Sequence, residues 1–162
     1  MPEGSSASID GVVDVSIIIP MCFDNPLKND AVGYISDILV QKRKTIIPIT
    51  SLIGAYHIAT RYLRIPRLTV KKILDGLLRT RSLALYPHVT IALAIDALDY
   101  AAAWNIESWD GYLIALARNL GTTTIYTLDK EMSEIKEIMA INPFPEEKVR
   151  EYHNFVKNLT KA

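Results

Sequence analysis

The sequence predicts an α/β fold, a three-layer αβα sandwich around a mostly parallel sheet, and three observations carry that reading. Short β-branched runs recur along the chain, several of them closed by proline. Stretches with helical spacing separate these runs, and strands alternating with helices imply parallel pairing under helical cover. The first run, Val12-Val13-Asp14-Val15-Ser16-Ile17-Ile18-Ile19, is apolar at nearly every position, the pattern of a strand buried on both faces.

Residues 1 to 10 are small and polar and read as a disordered tail, leaving 11–162 as a single domain. The first strand is expected over Val12–Ile19, stopped by Pro20. Ala31, Tyr34, Ile35, Ile38 and Leu39 then carry helical spacing from Pro26 to about Gln41, with Asn25 as the expected cap. Thr45–Ile47 reads as a second strand ended by Pro48. Leu52, Tyr56, Ala59 and Leu63 share one face of a helix over Ser51–Leu63, and Pro66 separates it from the next helix, Leu68–Arg81. Leu83–Tyr86 is a third strand before Pro87. A long alanine-rich helix follows over Val89–Trp104. Ser108 opens another, with Gly121 as its C-terminal stop. Thr123–Thr127 is the clearest later strand. Beyond it lie a short helix at Met132–Ile138, an apolar stretch at Met139–Ile141, and a closing helix at Glu146–Asn158.

Composition excludes several classes. The 162 residues hold 18 basic and 18 acidic side chains and are 49% hydrophobic, too apolar for a disordered tail and too charged for a membrane protein. A domain of this length buries roughly 70% of its unfolded surface, enough for a substantial core. One cysteine, Cys22, excludes a disulfide framework and a cysteine-built zinc site and suits a reducing compartment. With no long apolar run and no basic leader, the expectation is a soluble, cytoplasmic protein without membrane contact.

The neutral total conceals an uneven distribution. Residues 41–81 hold ten basic side chains against one acid, Asp75, a segment charge of +9, and the remainder carries −9. The segment includes Lys42, Arg43, Lys44, Arg61, Arg64 and Arg67. Such a block suits a phosphate backbone, whose neutralisation releases counterions. A solvated helix face would also carry these residues. Tyr56 and Tyr62 lie in the same segment and suit base stacking, although their spacing places them on different faces.

Asp14 is the most anomalous residue. A carboxylate within a valine and isoleucine run must be paired, hydrogen-bonded, metal-bound or protonated. Ligand sites in open α/β folds lie at the carboxyl ends of the strands. Asp129 follows a strand by two residues, and Asp110 falls in the first turn of the helix before that strand. Each has a plainer reading: Asp110 complements the helix dipole, and Asp129 caps the next helix. Together, clustered acids call for a cation, and all-oxygen ligation selects magnesium or manganese. Beside a +9 segment, such a site suggests a nucleic-acid hydrolase. No phosphate loop, dinucleotide fingerprint, zinc helix or nucleophile elbow is present.

Three segments together resemble the PIN domain family. They are Val13-Asp14-Val15-Ser16, the run Ile106-Glu107-Ser108-Trp109-Asp110-Gly111-Tyr112-Leu113, and Thr127-Leu128-Asp129-Lys130-Glu131-Met132. The compact length is similar to VapC-type toxins and archaeal single-domain relatives. The resemblance implies a Mg2+- or Mn2+-dependent endoribonuclease, often dimeric and often held inactive by an antitoxin. It assigns Asp14, Asp110 and Asp129 as metal-binding catalytic acids, with Ser16 and Thr127 orienting them; Trp109 and Glu131 flank these motifs. The family's remaining acid, a glutamate, is replaced here by Gly54, with Asp96, Asp99, Glu107 or His57 as candidates to compensate. The alternative is therefore a PIN-fold module that binds RNA or protein without cutting. A phospho-acceptor signalling domain fits less well, since its middle-strand aspartate and late lysine are not arranged that way. Apolar surface on the Leu52–Leu63 and Leu68–Leu78 helices suggests a homodimer.

Overall fold

In a computed structural model, which describes residues 8–161, five parallel strands form one sheet in the order β3-β2-β1-β4-β5. The strands are β1 (Gly11–Val13), β2 (Thr45–Pro48), β3 (Leu85–Tyr86), β4 (Thr124–Tyr126) and β5 (Met139–Ile141). Seven α-helices accompany them among the described residues: α1 (Val15–Ile18), α2 (Lys28–Leu39), α3 (Ile49–Arg61), α4 (Arg67–Arg79), α5 (Ile91–Trp104), α6 (Ser108–Asn119) and α7 (Glu146–Thr160). Most of the expected tail, residues 1–7, lies outside the described residues. No described helix is long and apolar enough to cross a membrane.

Period-two alternation on the central strand divides the core. Val12 faces a cluster built from α5 and α6 with Ile125, and Val13 faces a larger cluster built from α1, α2, α3, α4 and α7. The three layers follow directly. Ile17, Ile18, Ile35, Ile38, Ile47 and Leu52 are at most 1% exposed, and each such burial contributes about 1.5–3 kcal/mol. The closing helix joins this core through Val149 and Tyr152 and is clipped to α2 by a 2.8 Å ion pair between Lys148 and Asp30.

Three expectations are corrected. The first strand ends at Val13 rather than Ile19: Val15–Ile18 is helical, and a 3-10 turn over Ile19–Cys22 continues it around Pro20. Both halves of the run are buried, so the apolar pattern conceals the change from strand to helix. Asn25 does not cap α2, whose capping position is Leu27. Its side chain closes a local turn instead, accepting from Leu27 N–H at 2.9 Å and donating to Pro20 O and Phe23 O at 2.8 Å each. The expected helix over Met132–Ile138 is a 3-10 turn over Lys130–Glu134, one apolar side of which is Met132.

The chain order matters for function. From β1 the chain adds β2 and β3 on one side, then crosses to add β4 and β5 on the other. The β1/β4 pair is thus the switch point, where the carboxyl ends of the strands leave a crevice. Gly121, at φ +81°, ends the approach from α6 to β4 in the left-handed conformation that favours glycine.

Candidate active site

Asp14 is the first residue beyond β1 and is 6% exposed. Its N–H donates to Tyr126 O at 2.9 Å, which fixes it against the end of β4. Ser16 Oγ and Thr127 Oγ1 both donate to Asp14 Oδ2, each at 2.8 Å. Each hydroxyl also accepts a backbone amide: Leu128 N–H reaches Ser16 Oγ at 2.9 Å and Asp129 N–H reaches Thr127 Oγ1 at 3.0 Å. The carboxylate is therefore held by oxygens that are themselves held. Burial raises its pKa above the ordinary value, and the Ser16 and Thr127 hydroxyls oppose that rise without cancelling it. The Val15 and Ser16 backbone amides also favour the charged form.

Asp129 begins the turn after β4, and its Oδ1 accepts from Glu131 N–H at 2.9 Å. The plainer capping role and a place at the crevice thus coexist, because a carboxylate has a second oxygen. Asp110 lies in the first turn of α6 and is half-buried. Burial, then the charges of Asp14, Asp129, Glu107 and Glu131, push its pKa up to about 7. The charges of four other acids thus reach Asp110, although burial is the larger cause.

The position of α6 is set by close packing on α5. A Cβ on Gly111 would fall 2.2 Å from Ala97 O, so only glycine allows this approach. Its neighbour Asp110 is thereby pressed toward the crevice rather than into solvent.

A cleft of about 450 Å³ opens beside these groups, walled by Asp14, Gly54, His57, Glu107, Trp109 and Asp110 among others. Gly54 stands on this wall, and a Cβ there would meet only Val15 Cγ2 at an ordinary 3.5 Å. Glu107 shares the cleft, whereas Asp96 and Asp99 are exposed on α5 and line no part of it. Ser51 Oγ donates to Val13 O at 3.1 Å and so docks the start of α3 on the strand end. The sequence does not place Glu107; its position immediately before Ser108, at the start of α6, is the available signal.

The fold divides the basic segment. Lys42, Arg43 and Lys44 precede β2, and Lys44 O accepts from Asp10 N–H at 2.9 Å, at the amino edge of the sheet. They are separated from Asp14 by the strand length, roughly 13 Å at 3.3 Å per residue. Arg43 lies 5.0 Å over the Tyr34 ring, and Lys42 pairs loosely with Asp37 at 3.9 Å. The single basic surface expected from 41–81 is therefore not formed. Arg61 and Arg67 do line a groove of about 510 Å³ with Tyr56, His57 and Thr60, and His57 also borders the acidic cleft. Arg64, at φ +57°, lies in the α3–α4 turn outside that groove. Tyr56 packs on the core, while Tyr62 is exposed with its ring edge-on to His57, centroids 5.8 Å apart.

Divalent metals serve PIN nucleases generally. Among the described residues no group of three or more His, Cys, Asp or Glu side chains is placed to hold a metal ion. The donors at the crevice are nevertheless carboxylate oxygens, and burial, with their mutual repulsion added, lifts Asp110 to about 7. A hard dication relieves that repulsion and is satisfied by two or three carboxylates with water completing its shell. By donor type, though not as a preassembled set, the residues suit such an ion.

A three-layer α/β domain with acids crowded at its switch point defines a class of nuclease-like folds. The PIN domain model matches residues 11–138, and the chain belongs to the PIN domain family. Nuclease activity is the general property of that family. No curated protein matches the chain at a significant level.

Proposed function

We propose that this protein is a divalent-metal-dependent endoribonuclease, acting in the cytoplasm as the toxin of a toxin–antitoxin pair. The placing of Asp14 and Asp110 on one cleft, with Asp129 tied to Asp14 through the Thr127 hydroxyl, carries this reading. Asp14 and Asp110 would hold Mg2+ or Mn2+ with Asp129, and the ion would supply Lewis-acid stabilisation of the phosphodiester and acidify water. Ser16 and Thr127 fix the Asp14 carboxylate, and Asp14 lines the cleft. Arg61, Arg67 and His57 form the wall along which an RNA backbone would approach. An antitoxin segment would enter the same cleft, whose Trp109 is 62% exposed.

A homodimer is part of this proposal, and the two helices the sequence suggests for it keep Ile53, Leu68 and Leu78 64%, 62% and 36% exposed. Leu52, Leu74 and Leu77 are buried in the core, whereas Ile91, Ile95 and Leu98 are 83%, 55% and 62% exposed on one face of α5.

Gly54 favours a second reading, a binding module with a weakened site. The two are separated by RNA cleavage with Mn2+ or Mg2+ on the wild type and Asp14→Asn, with chelator as control. Metal-dependent cleavage that vanishes in Asp14→Asn supports the nuclease. RNA retained intact by both proteins, and released as salt rises, supports the binding module.

A further inference from the structure

The closing helix α7 lies wholly beyond the residues matched by the family model. Its Val149–Tyr152–Val156 stripe is committed to the core. A second stripe, Glu146–Arg150–His153, runs at i, i+4 and i+7 beside it and faces a groove of about 370 Å³. The opposite wall is Thr127, Asp129 and Lys130, so the groove begins at one acid of the site, Asp129.

The groove is equipped for an anion. Neither Lys130 nor Arg150 has a carboxylate within 4.0 Å among the described residues. Burial and the Lys130 charge hold the His153 pKa below its ordinary value, so Lys130 and His153 act on the same space. Asn142 also lines it, and its Oδ1 is occupied by Phe144 N–H at 2.9 Å, which leaves the amide as a donor. The negative groups at its margins are Glu146 and Asp129, and Asp129 already spends Oδ1 on the Glu131 amide. Since the Arg61–Arg67 groove meets the acids from the other side through His57, the acids lie between two basic walls.

We infer that α7 supplies a subsite for the phosphate backbone of a single-stranded nucleic acid flanking the cleaved bond, through Arg150 and Lys130 with His153 and Asn142. This rests on the nuclease reading above and extends it to a part of the chain that the family pattern does not include. Arg150 is a positioning residue, since it approaches a flanking phosphate and not the reacting one.

The test uses the full chain and a labelled mixed-sequence single-stranded RNA, with binding measured in chelator and cleavage measured in Mn2+. Arg150→Ala should weaken binding about fivefold or more and lower the salt slope by roughly 0.7. It should raise KM with kcat unchanged, and Arg150→Lys should restore most of the loss. Shortening the RNA from one end should abolish the difference between wild type and Arg150→Ala. Arg150 is exposed, and circular dichroism checks that each variant folds. Unchanged affinity and salt slope in both Arg150→Ala and the Lys130→Ala/Arg150→Ala pair would overturn the subsite while wild-type cleavage leaves the nuclease standing. Wild type that binds without cutting removes the nuclease, and the affinity and slope still decide the subsite. Wild type that neither binds nor cuts overturns both.

Discussion

Thr127 Oγ1 donates to Asp14 Oδ2 at 2.8 Å across 113 positions of sequence, and this bond joins the ends of the two strands at the switch point. Thr127 is 3% exposed and also accepts from Asp129 N–H, so one hydroxyl links the first and last acids of the site. Thr127→Val retains the shape and removes the hydroxyl. The buried Asp14 carboxylate then loses one of its two hydroxyl donors, and the variant should be destabilised by about 1–3 kcal/mol. Cleavage or metal affinity should fall about 10–100-fold, as for other groups that orient a metal ligand. Wild-type activity with an unchanged denaturation midpoint would show that the bond has no such role.

Asp110 gives the protein a pH signature. Its folded pKa of about 7 lies above the ordinary carboxylate value, so its contribution to stability is present at low pH and lost as pH rises through 7. Metal-free wild type should lose stability between about pH 4 and 7 relative to Asp110→Asn. The full shift corresponds to about 4 kcal/mol at 1.36 kcal/mol per unit, but solvent screening of this half-buried group reduces the expected difference to about 1–2 kcal/mol. Mn2+ should restore wild-type stability at pH 8 and leave Asp110→Asn nearly unchanged. Thermal denaturation of both proteins, with and without metal, reads all four states.

Gly54 is a vacancy that can be filled by substitution. The wall there has room for a Cβ, with Val15 Cγ2 as the nearest atom at 3.5 Å. Gly54→Glu adds a carboxylate beside Asp14 and Asp110 in the same cleft. It should lower stability without metal at pH 8, through added repulsion, and raise Mn2+ affinity about tenfold or more, a gain of at least 1.4 kcal/mol. Calorimetric titration with Mn2+ checks this. Equal affinity in both proteins would mean that Glu107 already occupies the role.

The α5–α6 contact offers a control on geometry rather than charge. Gly111→Ala must move α6, because its Cβ would meet the backbone of Ala97. A destabilisation of about 1–3 kcal/mol is expected for such overpacking, with loss of activity although no acid is altered. Retained activity at wild-type stability would sink the argument that this packing positions Asp110.

Local pattern made much of the architecture legible. The helices at α2 through α7 follow from apolar spacing and from Pro48, Pro66 and Gly121, because these signals act within a few residues. Where the pattern misled, at Val15–Ile19, a helix and a strand buried on all sides present the same run of isoleucines. Apolar spacing alone does not separate them. Asp14 was conspicuous for the opposite reason, a charge among apolar neighbours.

The sequence alone therefore determined the alternating α/β order, the core faces and the unusual status of Asp14. It also marked Asp110 and Asp129 by their places at element ends. Only the tertiary structure decided which charges act together. Strand order put β4 beside β1, which brought Asp129 and Thr127 to Asp14 and set Glu107 on the cleft wall. The parallel register sent Lys42, Arg43 and Lys44 to the far edge of the sheet, although a count along the chain joins them to Arg61 and Arg67. Hydrophobic periodicity is written into neighbouring residues, whereas electrostatic and hydrogen-bonded partnerships depend on distance in space, and the sheet order sets that distance.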